Sequence, residues 1–158
     1  MTMRILTLLC SLLLCVPLFV QADAGGPSGS TNSWEKKPDP RLATSDYDTG
    51  YKLLQAGDYN AAIKAFKRAI KANPNHAMAY NNMAYSYRKL GKFDNAIPLY
   101  EKALAIDPNL AEAHEYMGEA LLAVGRVEDA KKHLAILEKL DPKLAEELRT
   151  EIARHQRS

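Results

Sequence analysis

Between residues 77 and 106 the apolar side chains recur mostly every three or four positions: Met78, Tyr80, Met83, Ala84 and Tyr87 in one run, then Ala96, Ile97, Tyr100, Ala103 and Leu104 in the next. A half-buried strand would alternate instead, so the spacing predicts an amphipathic helix on either side of Gly91. The arrangement repeats. Gly57, Gly91 and Gly125 are 34 residues apart, and the positions after each glycine keep the same step. Tyr59, Phe93 and Val127 follow by two, Ala62, Ala96 and Ala130 by five, and Phe66, Tyr100 and Leu134 by nine. Ala69, Ala103 and Leu137 follow by twelve, and Pro74, Pro108 and Pro142 by seventeen. A period of this length predicts stacked helix–turn–helix units.

Each landmark has a packing reason. Alanine at 62, 96 and 130 lets two helix backbones approach, and Phe66, Tyr100 and Leu134 fill the space left beside that approach. Asn73-Pro74, Asp107-Pro108 and Asp141-Pro142 each pair a capping side chain with proline, predicting three helix starts. Pro98 falls near the beginning of a second helix, where little hydrogen bonding is lost. Beyond Pro142, Leu144, Leu148 and Ile152 at i, i+4 and i+8 predict an amphipathic helix over 143–154 that caps the stack, with Glu147 on its outer face.

These landmarks resemble the tetratricopeptide repeat (TPR), a 34-residue unit with small residues where its two helices touch, an aromatic late in the second helix and a closing proline. The small position of the first helix is Gly50, Ala84 and Gly118, and the large one three residues later is Leu53, Tyr87 and Leu121. The aromatic favoured near the start of the unit stands as Asp46, Tyr80 and His114. The resemblance covers three repeats at 43–76, 77–110 and 111–144, followed by a capping helix and tail at 145–158. It implies an all-α, right-handed α-solenoid whose first helices line a concave groove. Projecting the repeat places Tyr47, Asp48 and Tyr51 in the groove from the first unit, and Asn81, Asn82, Tyr85, Arg88 and Lys89 from the second. The third unit supplies Glu112, Glu115, Tyr116 and Glu119.

Tyrosine brings contact area at low entropic cost and asparagine hydrogen-bonds an extended backbone, so this surface suits a peptide. For Tyr47, Tyr51, Tyr85 and Tyr116 the alternative is packing between neighbouring helices. In the chaperone-binding members of the resembled family, Lys, Asn and Arg clamp a terminal carboxylate. Here only Asn82 stands in such a place, among Tyr47, Tyr51, Glu112 and Tyr116, and Glu112 would repel a carboxylate. The basic edge Arg88/Lys89 and the acidic edge Glu112/Glu115/Glu119 predict a ligand with charges of both signs.

The N-terminus reads differently. Arg4 precedes an apolar run over 5–20 that contains Pro17 and is shorter than the roughly 20 residues of a spanning helix. Small residues around 20–24 complete a secretory signal peptide over 1–22, with cleavage alternatively after 24. An uncleaved anchor is the other reading, and contact with a membrane is otherwise transient. Cleavage would remove Cys10 and Cys15, the only two cysteines, and with them disulfide and thiol chemistry. Residues 25–42, rich in Gly, Ser and Pro, predict a flexible linker that acts as a tether or a spacer. Its one aromatic, Trp34, is either a docking anchor or the cover of a patch on the neighbouring domain.

Composition narrows the function. The 158 residues carry 21 Lys+Arg against 19 Asp+Glu with no long basic run, which argues against a nucleic-acid partner. A mean hydropathy of −0.31 excludes a polytopic membrane protein and a wholly disordered chain. His76, His114, His133 and His155 show no helical metal-site spacing, and His114 reads as a packing residue. No cofactor or metal is implied. Glu115 and Glu119 are i, i+4 neighbours, but no nucleophile accompanies them, so an enzyme is the least favoured class. The sequence therefore predicts a module exported to the periplasm that binds an extended segment of a protein or peptide. Self-association as a structural module of an envelope complex is the alternative.

Overall fold

The computed structural model describes residues 40–157, so the signal segment, both cysteines, Trp34 and the linker up to residue 39 lie outside the described residues. Seven helices follow in order: α1 Pro40–Gln55, α2 Tyr59–Ala72, α3 Ala77–Lys89, α4 Phe93–Ile106, α5 Ala111–Ala123, α6 Val127–Leu140 and α7 Pro142–His155. They form three hairpins, α1–α2, α3–α4 and α5–α6, each packed on the next, with α7 against α5 and α6. The chain is thus an all-α solenoid of helix–turn–helix units. Among the described residues no helix is long and apolar enough to cross a membrane.

The hairpin turns explain the 34-residue glycines. Gly57, Gly91 and Gly125 have φ of +79°, +70° and +77°, a left-handed conformation that costs other residues steric strain. One residue later the backbone N–H closes the turn onto the large position of the first helix: Asp58 to the Leu53 carbonyl (2.9 Å), Lys92 to Tyr87 (2.9 Å) and Arg126 to Leu121 (2.8 Å). This six-to-one bond is the Schellman closure of a helix C-terminus. Behind it the hairpins interlock. Ala62, Ala96 and Ala130 are fully buried, as are Phe66 and Tyr100, whereas Leu134 is only partly covered. A Cβ at Gly50 would stand 2.7 Å from the Phe66 ring, which is why the smallest residue occupies that position.

Three element boundaries differ from the sequence reading. The first helix begins at Pro40 rather than at 43, since proline's fixed φ and missing N–H suit a helix's first position. Helix α7, by contrast, begins at Pro142 as Asp141-Pro142 predicts, on Asp141, whose side chain accepts from the N–H groups of Lys143 and Leu144. Asn73-Pro74 and Asp107-Pro108, however, do not start helices. Asn73 and Asp107 cap the ends of α2 and α4, and their side chains accept from Asn75 (3.1 Å) and Asn109 (3.0 Å) two residues on. This Asx turn competes with helix initiation, so α3 and α5 start three residues after the prolines.

Apolar packing divides into two clusters. One joins α1, α2 and the start of α3 around Phe66, Ile63 and Met83; the other runs from α3 to α7 around Tyr100, Leu121, Leu137 and Leu148. Tyr87 and Leu99 touch both. Helix α7 closes the second, burying Ala145, Leu148 and Ile152, with Leu148 seated where a Cβ at Gly118 would come within 2.6 Å. Each such aliphatic burial is worth about 1.5–3 kcal/mol. The double substitution Leu148→Asp plus Ile152→Asp therefore removes roughly 3–6 kcal/mol from a typical margin of about 5–15 kcal/mol. Aggregation, or melting lowered by more than about 10 °C by circular dichroism, is expected; an unchanged transition would show that α7 does not cap the stack.

Candidate functional site

The groove is built from the first helices of the hairpins. Tyr51, Leu54 and Gln55 from α1, Met78, Asn81, Asn82 and Tyr85 from α3, and Glu112 and Tyr116 from α5 line one open concavity. Six of these were expected from the repeat phase. Leu54, Gln55 and Met78 were not, although each lies within one helical turn of Tyr51 or Asn81, and continuing the face by three or four residues would have reached them. Asp48 lies elsewhere, in a surface hollow of α1 with Arg41, Ser45 and Lys52.

The polar floor is uneven. Asn82 donates from Nδ2 to the Tyr47 hydroxyl (3.1 Å), and Tyr47 stacks 4.7 Å from His76. Tyr47 thus packs between helices, and burial raises its phenol pKa. Asn81 is only 1% exposed; its Nδ2 bonds Asn82 at 3.4 Å, but its Oδ1 is buried without a hydrogen-bond partner. A buried acceptor left unsatisfied costs about 1–3 kcal/mol, so this atom has a deficit that a donor entering the groove would relieve. Tyr51 is 45% exposed at the groove's apolar end.

The basic edge predicted from sequence is spent inside the protein. Arg88 forms an ion pair with Glu119, and its guanidinium lies 5.0 Å from the Tyr85 ring centroid and 5.2 Å from that of Tyr116. The two rings are themselves 5.0 Å apart. Arg88 is therefore a tie between α3 and α5, and Lys89, 5.9 Å from the Tyr85 ring, is the exposed cation at this edge.

Glu115 and Glu119 turn away from the groove floor into a neighbouring cleft between α5 and α7, lined also by Glu146, Glu147, Thr150 and Glu151. Glu147, exposed on α7, therefore also faces Glu115 across this cleft. Glu115 is 7% exposed, and burial, then the charges of Glu119 and Glu147, push its pKa up to about 7 against the opposing pull of Arg88. Burial likewise raises Glu119, with Arg88 opposing.

A histidine pair hidden from sequence spacing joins α5 to α6. His114 Nε2 lies 3.0 Å from the Pro108 carbonyl and must donate to it, leaving Nδ1 to accept from His133 Nδ1–H at 2.8 Å. Burial, then His114, lowers the His133 pKa to about 4, so both rings are packing elements. Among the described residues no group of three or more His, Cys, Asp or Glu is placed to hold a metal.

The tetratricopeptide repeat family matches residues 47–111 and again 87–152. The chain belongs to that family. Among solved structures, the first TPR of Spaghetti (RPAP3) bound to HSP90 peptide SRMEEVD is 27% identical, with a TM-score of 0.71 over 78% of this chain and 99% of that one. The second TPR domain of human RPAP3 in complex with HSP70 peptide SGPTIEEVD is 28% identical, with a TM-score of 0.68 over 73% and 98%. MamA is 30% identical, with a TM-score of 0.58 over 73% of this chain and 63% of that one. A comparison with curated proteins found no match.

Glu115 gives this TPR domain a pH signature. A carboxyl whose pKa is raised by folding stabilises the protein below its unfolded value of 4.5, and that contribution is lost as pH rises toward about 7. Glu115→Gln should leave the melting temperature near about pH 5 almost unchanged and raise it by a few degrees near about pH 8. Thermal melts across that range decide it; equal effects at both ends would show that Glu115 is not held protonated by the fold.

Proposed function

We propose that this TPR domain is an exported interaction module that binds an extended segment of another protein in the groove between α1, α3 and α5. The observation that carries the reading is Asn81 Oδ1, a buried acceptor without a partner on the floor of a groove flanked by Tyr51, Tyr85 and Tyr116. A peptide backbone N–H would satisfy it, while the tyrosines offer flat faces to alternate side chains. The peptide-bound TPR domains similar to this chain support the mode of binding. The terminal-carboxylate chemistry of a chaperone tail is not supported, because Asn82 is committed to Tyr47, and Glu112 lines the groove. Export rests on the charged start, apolar run and small residues of 1–24.

A photo-crosslinking residue at Gln55, in the groove, should give partner adducts in the native host, whereas one at Lys67 on exposed α2 surface should not. Adding Asn81→Ala and Tyr85→Ala should cut the Gln55 adducts by about tenfold or more, the effect of losing roughly 1.4 kcal/mol of binding; undiminished adducts would refute groove binding. Export has its own check. Intact mass of the secreted-fraction protein should begin at Asp23 or Gly25, and retention of Cys10 or Cys15 would overturn it.

A further inference from the structure

Glu112, Glu115, Tyr116 and Glu119 form one stripe of α5 at i, i+3, i+4 and i+7, so the groove, lined by Glu112 and Tyr116, and the cleft under α7, lined by Glu115 and Glu119, lie side by side along the same helix. Four of the five carboxylates lining that cleft have a cation beside them: Arg88 at Glu119, Arg149 at Glu146, Lys143 at Glu147 (3.8 Å) and Arg154 at Glu151 (2.6 Å). Glu115, the most buried, is the exception. Among the described residues it forms no ion pair, and the side chain it faces across the cleft is another carboxyl, Glu147. A carboxylate buried beside other carboxylates without a counter-charge is unfavourable, so the site contains a position that a proton fills and a cation would fill better. The second sign of a missing ligand lies in the neighbouring groove, where the Asn81 oxygen is buried without a partner.

Resting on the groove-binding reading above, we infer that the segment this protein takes is basic, with a Lys or Arg side chain reaching from the groove past Tyr116 between Glu115 and Glu147. The backbone N–H of that segment meets Asn81, and its cation takes the place of the proton that the buried Glu115 carboxyl otherwise holds. Charge complementarity selects this occupant over the acidic peptides held by the similar TPR structures, since Glu112 and Glu115 oppose a carboxylate and Arg88 is consumed by Glu119. Binding then competes with protonation. The charged groups facing Glu115 are Glu119 on its own helix, Glu147 on α7 and Arg88 on α3, and its pKa of about 7 makes the cation's affinity rise from about pH 6 to about pH 8.

The test is selection of random displayed peptides on the full chain at low salt, run in parallel on Glu115→Gln/Glu147→Gln and on Asn81→Ala/Tyr85→Ala. The wild type should return peptides enriched severalfold in Lys or Arg at one position, and the Gln variant should return peptides without that enrichment. A synthetic peptide of the selected sequence should bind the Gln variant about tenfold more weakly and lose affinity with salt. Peptides that need Asn81 and Tyr85 but show no basic position, or the same basic position on the Gln variant, overturn the charge inference and leave groove binding intact. Peptides indifferent to Asn81 and Tyr85, or none at all, overturn both. If the Gln variant does not fold, the wild type alone decides, because an affinity for the basic peptide that does not rise from about pH 6 to about pH 8 is equally fatal.

Discussion

One backbone hydrogen bond per unit, from the residue after the left-handed glycine to the large residue of the first helix, holds each hairpin in the same geometry. It reverses the chain within a few residues and thereby sets which faces of the two helices meet. Given that reversal, only alanine fits at 62, 96 and 130, and a ring fits opposite them at 66 and 100. The same reversal repeated three times leaves the first helices side by side, so the groove is what the outer surface of this packing has to be. The binding proposed here would occupy the face that the turn chemistry leaves uncovered.

The groove's electrostatics follow from what the stack needs to stay together. Helices α3 and α5 meet across a polar seam, and Arg88, with Tyr85, Tyr116 and Glu119 around it, supplies both charge pairing and ring contact there. A guanidinium suits such a place because it is weakly hydrated and stacks on aromatic faces. Neutralising Glu119 in this way shifts the burden of unbalanced charge to Glu115, four residues and about one helical turn below in the stripe. Its partner across the cleft belongs to α7, so the helix that protects the apolar end of the stack also completes the acidic site.

Periodicity made the fold legible, since a 34-residue register repeated at six positions leaves little choice of architecture. The groove was legible as far as a helix face can be extrapolated from Tyr51, Asn82 and Tyr116. What failed was anything that depends on a partner side chain. Arg88 looks like a free basic edge in sequence but is held in an ion pair in the fold, because Glu119 lies 31 residues away along the chain and against it in space. The two histidines stand 19 residues apart and show no motif. Asn73-Pro74 and Asp141-Pro142 share their first signal and both end a helix, yet only Asp141 also begins the next one at once. The following residue separates them: Asn75 and Asn109 favour a tight turn, whereas Lys143 and Leu144 continue as helix.

The division of the apolar interior has a consequence for how the protein opens. Among the described residues, α1 and α2 have neighbours on one side only, and their cluster is linked to the rest through Tyr87 and Leu99. In a one-dimensional stack, the terminal unit with the fewest interfaces is the first to detach, by an excursion much less costly than global unfolding. That unit carries Tyr51, Leu54 and Gln55, one wall of the groove. Amide protons of α1 and α2 are thus the ones whose exchange a groove ligand would slow, and an occupied groove would serve as the clasp that turns a frayed array into a single cooperative body.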